Sequence, residues 1–138
     1  AVDRKKLAAK AFASPAETRK LNRITLPRIE ELFSDRVDEF ERAGAKAVVV
    51  EQSVFKNRQG SLAYCADVVI AIIAPIELRV ERAVASGFSE DDVRRRIARQ
   101  ITDADRIEAA DVVFNNDGTP EQLHDKMTAW WKEYEKTI

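Results

Sequence analysis

Apolar residues along the chain keep two rhythms. In "AKAVVVE" (45–51) and "DVVIAIIAP" (67–75) they run nearly unbroken and β-branched, the first behind Gly44, the second between Asp67 and Pro75. Runs without a polar face are expected of strands covered on both sides, as in a parallel sheet with helices above and below. "DVVF" (111–114) is a shorter third example.

Between these runs the rhythm becomes helical. Leu21, Ile24, Ile29, Leu32, Phe33, Val37 and Phe40 recur at helical spacing, and Pro27 among them predicts a break or a kink. "IELRVERAVAS" predicts a helix closed by Gly87 at its C′ position. Ser89, with Asp91 and Asp92 behind it, reads as an N-cap opening a helix to about Gln100. Thr119-Pro120-Glu121 opens the last helix in the same way, with Leu123, Met127, Trp130, Trp131 and Tyr134 on one broad face. Trp130 and Trp131 point about 100° apart on a helix, and a packing role is expected of the pair. Helices alternating with three strands give the α/β class, in one domain or most of one.

Composition narrows the function classes. Hydrophobic content of 45% beside 34% charged residues is that of a globular chain, and a net charge of −1 gives no general affinity for nucleic acid. No apolar run approaches the roughly 20 residues that cross a bilayer. The single cysteine, Cys65, leaves no internal disulfide. It is expected to be a small buried hydrophobe at the start of a strand, in a cytoplasmic protein. His124 stands alone, is expected exposed on its helix, and offers no metal-ligand set.

Chemistry in an open parallel sheet collects beyond the carboxyl ends of the strands. Those positions are Glu51, Gln52 and Ser53, then Pro75 and Ile76, then Asn115 to Gly118. Asparagine amides and a glycine backbone suit an uncharged purine edge, but "NNDG" is also an ordinary solvated turn, and pattern alone favours the turn. Arg79 and Arg82 on one helix, with Arg94, Arg95, Arg96 and Arg99 on the next, form a second cluster. Guanidinium groups on a hinged helical pair can grip phosphate during phosphoryl transfer. Glu77, Glu81, Asp91 and Asp92 could equally pair with them on a solvated face. No G-x-x-x-x-G-K-[ST] occurs, and Gly44, Gly60, Gly87 and Gly118 are isolated, so no loop of the sequence cradles a triphosphate.

Taken in order, these stretches resemble the dephospho-coenzyme A kinases over essentially the whole length. The opening matches through Asp3, Arg4, Leu7, Phe12, Leu21, Ile24, Pro27 and Ile29, and "SEDDVRRRIARQ" through Ser89, Arg96, Ile97 and Gln100. "AADVVFNNDGTPEQL" matches most specifically, through Ala110, Asp111, Asn116, Gly118 and Leu123. The resemblance implies an α/β, P-loop kinase-like three-layer parallel sheet with helices on both faces, incomplete because the central P-loop strand lies upstream. It implies one partial domain: an acceptor-binding helical region (1–43), sheet strands (44–75), lid helices (76–106), and a last strand, base loop and C-terminal helix (107–138). The implied activity moves the γ-phosphoryl group of ATP, with Mg²⁺, to the ribose 3′-hydroxyl of dephospho-coenzyme A. Asn115, Asn116 and Gly118 would meet the base, Arg82, Arg96 and Gln100 the phosphates under the lid, and Asn22, Leu26 and Pro27 the acceptor. No catalytic residue and no metal ligand falls within the sequence itself.

Departures from that pattern are concentrated at the same places. Leu26 stands where the family has a histidine, Glu51 and Ser53 replace an aspartate and a proline, and Asn115 replaces an aspartate. The lid's second arginine is not found after Arg82. Without the upstream strand, 45–51 and 67–75 would lose the neighbour they share, exposing apolar edges. The sequence is therefore expected to be part of a larger protein, or to fill the gap by strand exchange with a second copy. It is expected to be inactive alone. A degenerate pseudoenzyme serving as an interaction scaffold is the alternative.

Overall fold

The computed structural model describes residues 2–52, 57, 59 and 62–138. Ser53 and Gly60 lie outside the described residues. The chain divides into two compact units, Ala1–Val50 and Glu51–Ile138.

The first unit is helical. α1 (Arg4–Ala11) is followed by α2 (Pro15–Arg42), 28 residues long. Ser14 caps α2 by accepting the Glu17 N–H, and Pro15 supplies the preset φ of a first helical position. Pro27 does not break this helix, which runs through it. Proline removes one N–H from the ladder, and the 27 other residues keep the helical geometry around that gap. Leu21, Thr25, Phe33 and Val37 are half-buried, whereas Ile24, Leu26, Ile29, Leu32 and Phe40 are exposed. No helix among the described residues is long and apolar enough to cross a membrane.

Residues 45–51 form no strand, contrary to the apolar pattern. A strand exists only as one side of a hydrogen-bonded ladder, and this segment joins no ladder among the described residues; Val49 is 87% exposed. Among the described residues the three-strand sheet expected from the sequence is thus a two-strand one, in a mostly helical chain.

The second unit holds that sheet. β1 (Ile70–Ile73) pairs in parallel with β2 (Val112–Asn115), in the register Ile70 to Val112 and Ile73 to Asn115. Between them run α3 (Ile76–Ala85), α4 (Glu90–Ile97) and α5 (Asp103–Ala109), and α6 (Pro120–Tyr134) follows β2. The N-caps expected at Ser89 and Thr119 are present. Thr102 and Asp105 form a reciprocal capping box that starts α5, a helix the apolar pattern does not announce. Gly87 takes a φ of +92°, as the C′ position requires, while α4 ends at Ile97 rather than at Gln100. The core is small: Ala74, Val80, Val93 and Phe114 are its buried apolar residues. Phe114 meets Trp130 edge to face at 6.1 Å, and Trp130 stacks on Tyr134 at 5.0 Å. The tryptophan pair therefore packs, as expected. His124 is exposed, also as expected. Cys65 is not buried; it is exposed in a 3-10 turn (Leu62–Cys65) before β1, where its thiol donates to the Leu62 carbonyl.

Two ties hold the sheet to its surroundings. The Asp111 carboxylate accepts the Val69 N–H at 2.7 Å while the Asp111 N–H donates to the Val69 carbonyl, so the acid before β2 aligns the two strands at their start. Asp103 on α5 accepts from Arg79 on α3 at 3.0 Å and from Arg106 at 2.8 Å. These three side chains are 21–30% exposed. Replacing Asp103 with alanine should cost about 2 kcal/mol, since two guanidinium groups lose a charged acceptor and Arg79 Nε already lacks one. Urea denaturation checks this; a loss under about 0.5 kcal/mol would mean that solvent screens the group as it does an ordinary surface pair.

Candidate functional site

The loop after β2 is built from backbone upward. Parallel pairing ends at Asn115, and the Asn116 N–H adds one further bond, to the Ile73 carbonyl at 2.7 Å. Arg82 reaches across from α3 and donates through Nη1 to the Asn116 carbonyl at 2.9 Å and through Nη2 to the Gly118 carbonyl at 2.8 Å. Lys126 on α6 donates to the Asn115 carbonyl at 3.3 Å. Thr119 and Gln122 then close the loop into α6 through a capping box.

Gly118 leaves room here for the Gln122 side chain. A Cβ at this position would lie 1.9 Å from Gln122 Oε1, the atom that accepts the Thr119 N–H. Gly118→Ala should therefore push Gln122 out of the box and cost about 1 kcal/mol of stability. In a Gln122→Ala background the same change should cost almost nothing, and a denaturation double-mutant cycle reads the difference.

Beside the loop lies an open cleft of about 400 Å³. Ile72, Ile73, Ala74, Ala83 and Phe88 give it apolar walls, and Arg79, Arg82, Ser86 and Asn116 supply polar groups. Asn116 is half-buried at its edge, whereas Asn115 is exposed and does not line it. Arg96 on α4 lies over the Phe88 ring, 5.7 Å from its centroid, and makes no hydrogen bond or ion pair among the described residues. Its donors are open. A larger cleft of about 520 Å³ lies between α3 and α4, but Glu77, Glu81 and Glu90 line it with Arg94. Arg94 is committed there, bidentate to Glu77 at 3.0 and 2.8 Å and to Glu90 at 2.8 Å. Those bonds hold the Glu77 carboxyl below its usual range and the Arg94 guanidinium above its own. Three carboxylates against one paired arginine repel phosphate, so the smaller cleft suits an anionic ligand better despite its size.

The remaining sequence-derived positions divide by unit. Gln100 follows α4 and accepts from Arg106 Nη2 at 3.2 Å, so it joins the Asp103 cluster. Asn22 and Leu26 lie one turn apart on α2, with Pro27 next to Leu26, and all three are exposed in the first unit. Glu51 is exposed at the start of the second unit. Arg82's grip on the loop was missed by the sequence reading, because partners 34 and 36 residues away leave no local signal.

A family model described as "Dephospho-CoA kinase" matches residues 1–122. The chain belongs to the dephospho-CoA kinase family. The dephospho-CoA kinase of Corynebacterium glutamicum is 45% identical over 124 residues, covering 89% of this chain and 61% of that protein. That of Corynebacterium jeikeium is 39% identical over 132 residues, covering 94% of this chain and 66% of the relative. A solved structure, a dephospho-CoA kinase from Campylobacter jejuni, superimposes with a TM-score of 0.69 at 22% identity, covering 99% of this chain and 67% of that one. At that identity the likeness is one of fold. The chain thus spans 61–66% of the length of these two curated dephospho-CoA kinases.

Proposed function

We propose that the protein to which these residues belong is an ATP-dependent kinase that phosphorylates the ribose 3′-hydroxyl of dephospho-coenzyme A, the last step of coenzyme A biosynthesis, in the cytoplasm. The 3′-oxygen attacks the γ-phosphorus. A new O–P bond forms, the bond to the β,γ-bridging oxygen breaks, and ADP leaves with that electron pair. The hydroxyl proton passes to a base that is not among the described residues. In this reading the second unit contributes the base loop through Asn115, Asn116 and Gly118, and the lid through Arg96, while Arg82 and Gln100, expected in the lid, are engaged by the loop and by Arg106. Asn22, Leu26 and Pro27 on α2 contribute to acceptor binding.

The observation that carries the reading is the cleft at the end of β1 and β2, lined by apolar walls and Asn116, with Arg96 beside it over the ring of the lining residue Phe88. A purine needs the first two, and a polyphosphate needs the third. Mg²⁺ finds no cluster of three or more acidic, histidine or cysteine side chains among the described residues, so these residues do not fit a metal site and no step runs through one. The P-loop strand of the full three-layer sheet is assigned to residues outside this sequence, which spans 61–66% of two curated relatives. Val48–Val50, all exposed, would pair in its presence or by strand exchange with a second copy. Phosphoryl transfer is catalysed almost wholly by positioning and charge neutralisation, so these residues alone are expected to be inactive. Partners are small molecules, not nucleic acid or membrane.

Coupled ATP turnover with dephospho-coenzyme A tests this. Turnover by the full-length protein and none by residues 1–138 is expected. No turnover by a folded full-length protein would favour a pseudoenzyme scaffold instead, a reading supported by exposed Leu26 at the position of the family's histidine.

A further inference from the structure

We infer that Arg82 is a positioning residue whose guanidinium clamps the backbone of the loop after β2, so that the Asn116 amide keeps one aim into the cleft and base choice depends on that clamp. The inference about base choice rests on the nucleotide-site reading above; the clamp itself does not.

The geometry is specific. One planar fork spans two carbonyls, those of Asn116 and Gly118, at 2.9 and 2.8 Å. A guanidinium is rigid, so it fixes the spacing of the two oxygens it meets, which a single ammonium cannot do. Asn116 is also held from the other side, because its N–H donates to Ile73 at 2.7 Å. Its backbone is therefore tied to β1 and to α3 at once, while its side chain makes no hydrogen bond among the described residues. Arg82 is half-buried and lines the cleft, where a charged donor to a carbonyl is worth more than at an open surface.

A phosphate role for Arg82 competes with this one. Both of its terminal nitrogens already serve the loop, whereas Arg96, over Phe88, has its donors open. Beside the cleft, Arg96 is the better ligand for a polyphosphate. Arg82 serves the base end, through the loop.

The test has two arms. Without nucleotide, amide hydrogen exchange is measured by NMR on residues 1–138 carrying Arg82→Lys or Arg82→Met, with circular dichroism and the α3 amides as controls of folding. Exchange at Asn116, whose N–H bonds to Ile73, and at Thr119, whose N–H bonds to Gln122, should quicken about tenfold or more in both variants. Unchanged loop exchange would overturn the clamp, and if Arg82→Met unfolds α3, Arg82→Lys decides. In the full-length protein, calorimetry then compares ATP, GTP and tripolyphosphate. Arg82→Lys should narrow the preference between the two nucleotides about tenfold and leave tripolyphosphate affinity unchanged. Equal losses for all three ligands would make Arg82 a phosphate ligand and overturn the inference. Failure of the unaltered protein to bind any nucleotide would remove the base-choice half together with the nucleotide-site reading, and the exchange arm would still decide the clamp.

Discussion

Replacing Phe114 with alanine is expected to destabilise the second unit by about 3 to 5 kcal/mol. Phe114 is 8% exposed and is the largest buried side chain among the described residues. Its ring edge meets Trp130, which joins β2 to α6, and the strand carrying it is one of only two in the sheet. The other buried apolar residues of the unit, Ala74, Val80 and Val93, are smaller, so they leave most of the void open. A loss of this size is a large fraction of the roughly 5 to 15 kcal/mol that holds a typical domain. Urea denaturation followed by tryptophan fluorescence measures it. Phe114→Leu should cost much less, about 1.5 kcal/mol or under, since most of the volume survives. An alanine penalty below about 1 kcal/mol would mean that the ring does not organise this core.

The elements that could be read from the sequence are those whose determinants are local. Ser89 and Thr119 announce their helices because a side-chain oxygen three residues from an orphan N–H needs no distant partner. α5 carries the same kind of signal in Thr102 and Asp105, which lies outside any apolar period. "DVVF" and "DVVIAII" read as strands and are strands, because each finds the other. "AKAVVV" has the same composition without a partner, and composition alone cannot say whether a ladder will exist. Pro27 misleads in the opposite direction: the length of α2 outweighs one lost N–H. At the site, Asn116 and Gly118 could be picked out as a loop beyond a strand, but the task of Arg82 could not. Its partners lie on another element, and only the packing of α3 against the end of the sheet brings them together. Cys65 is exposed rather than buried for a related reason: the residues ahead of β1 form a 3-10 turn at the surface rather than an extension of the strand.

Asn116→Ala in the full-length protein should lower ATP affinity about 5- to 150-fold, the equivalent of about 1 to 3 kcal/mol of hydrogen bonding. The prediction follows from an asymmetry between two neighbouring amides. Asn116 is half-buried and lines the cleft, and its backbone is held by Ile73 and Arg82. Little of its binding energy would be lost in ordering it. Asn115 closes the β ladder, is exposed and points no group into the cleft lining. Asn115→Ala should therefore change ATP affinity less than about threefold. Titration calorimetry with ATP on the two variants separates them, and tripolyphosphate serves as a control, since neither amide should affect it. Equal effects of the two substitutions would mean that the loop binds through its backbone alone. Unchanged ATP affinity in Asn116→Ala, with the fold intact by circular dichroism, would take the base away from this cleft altogether.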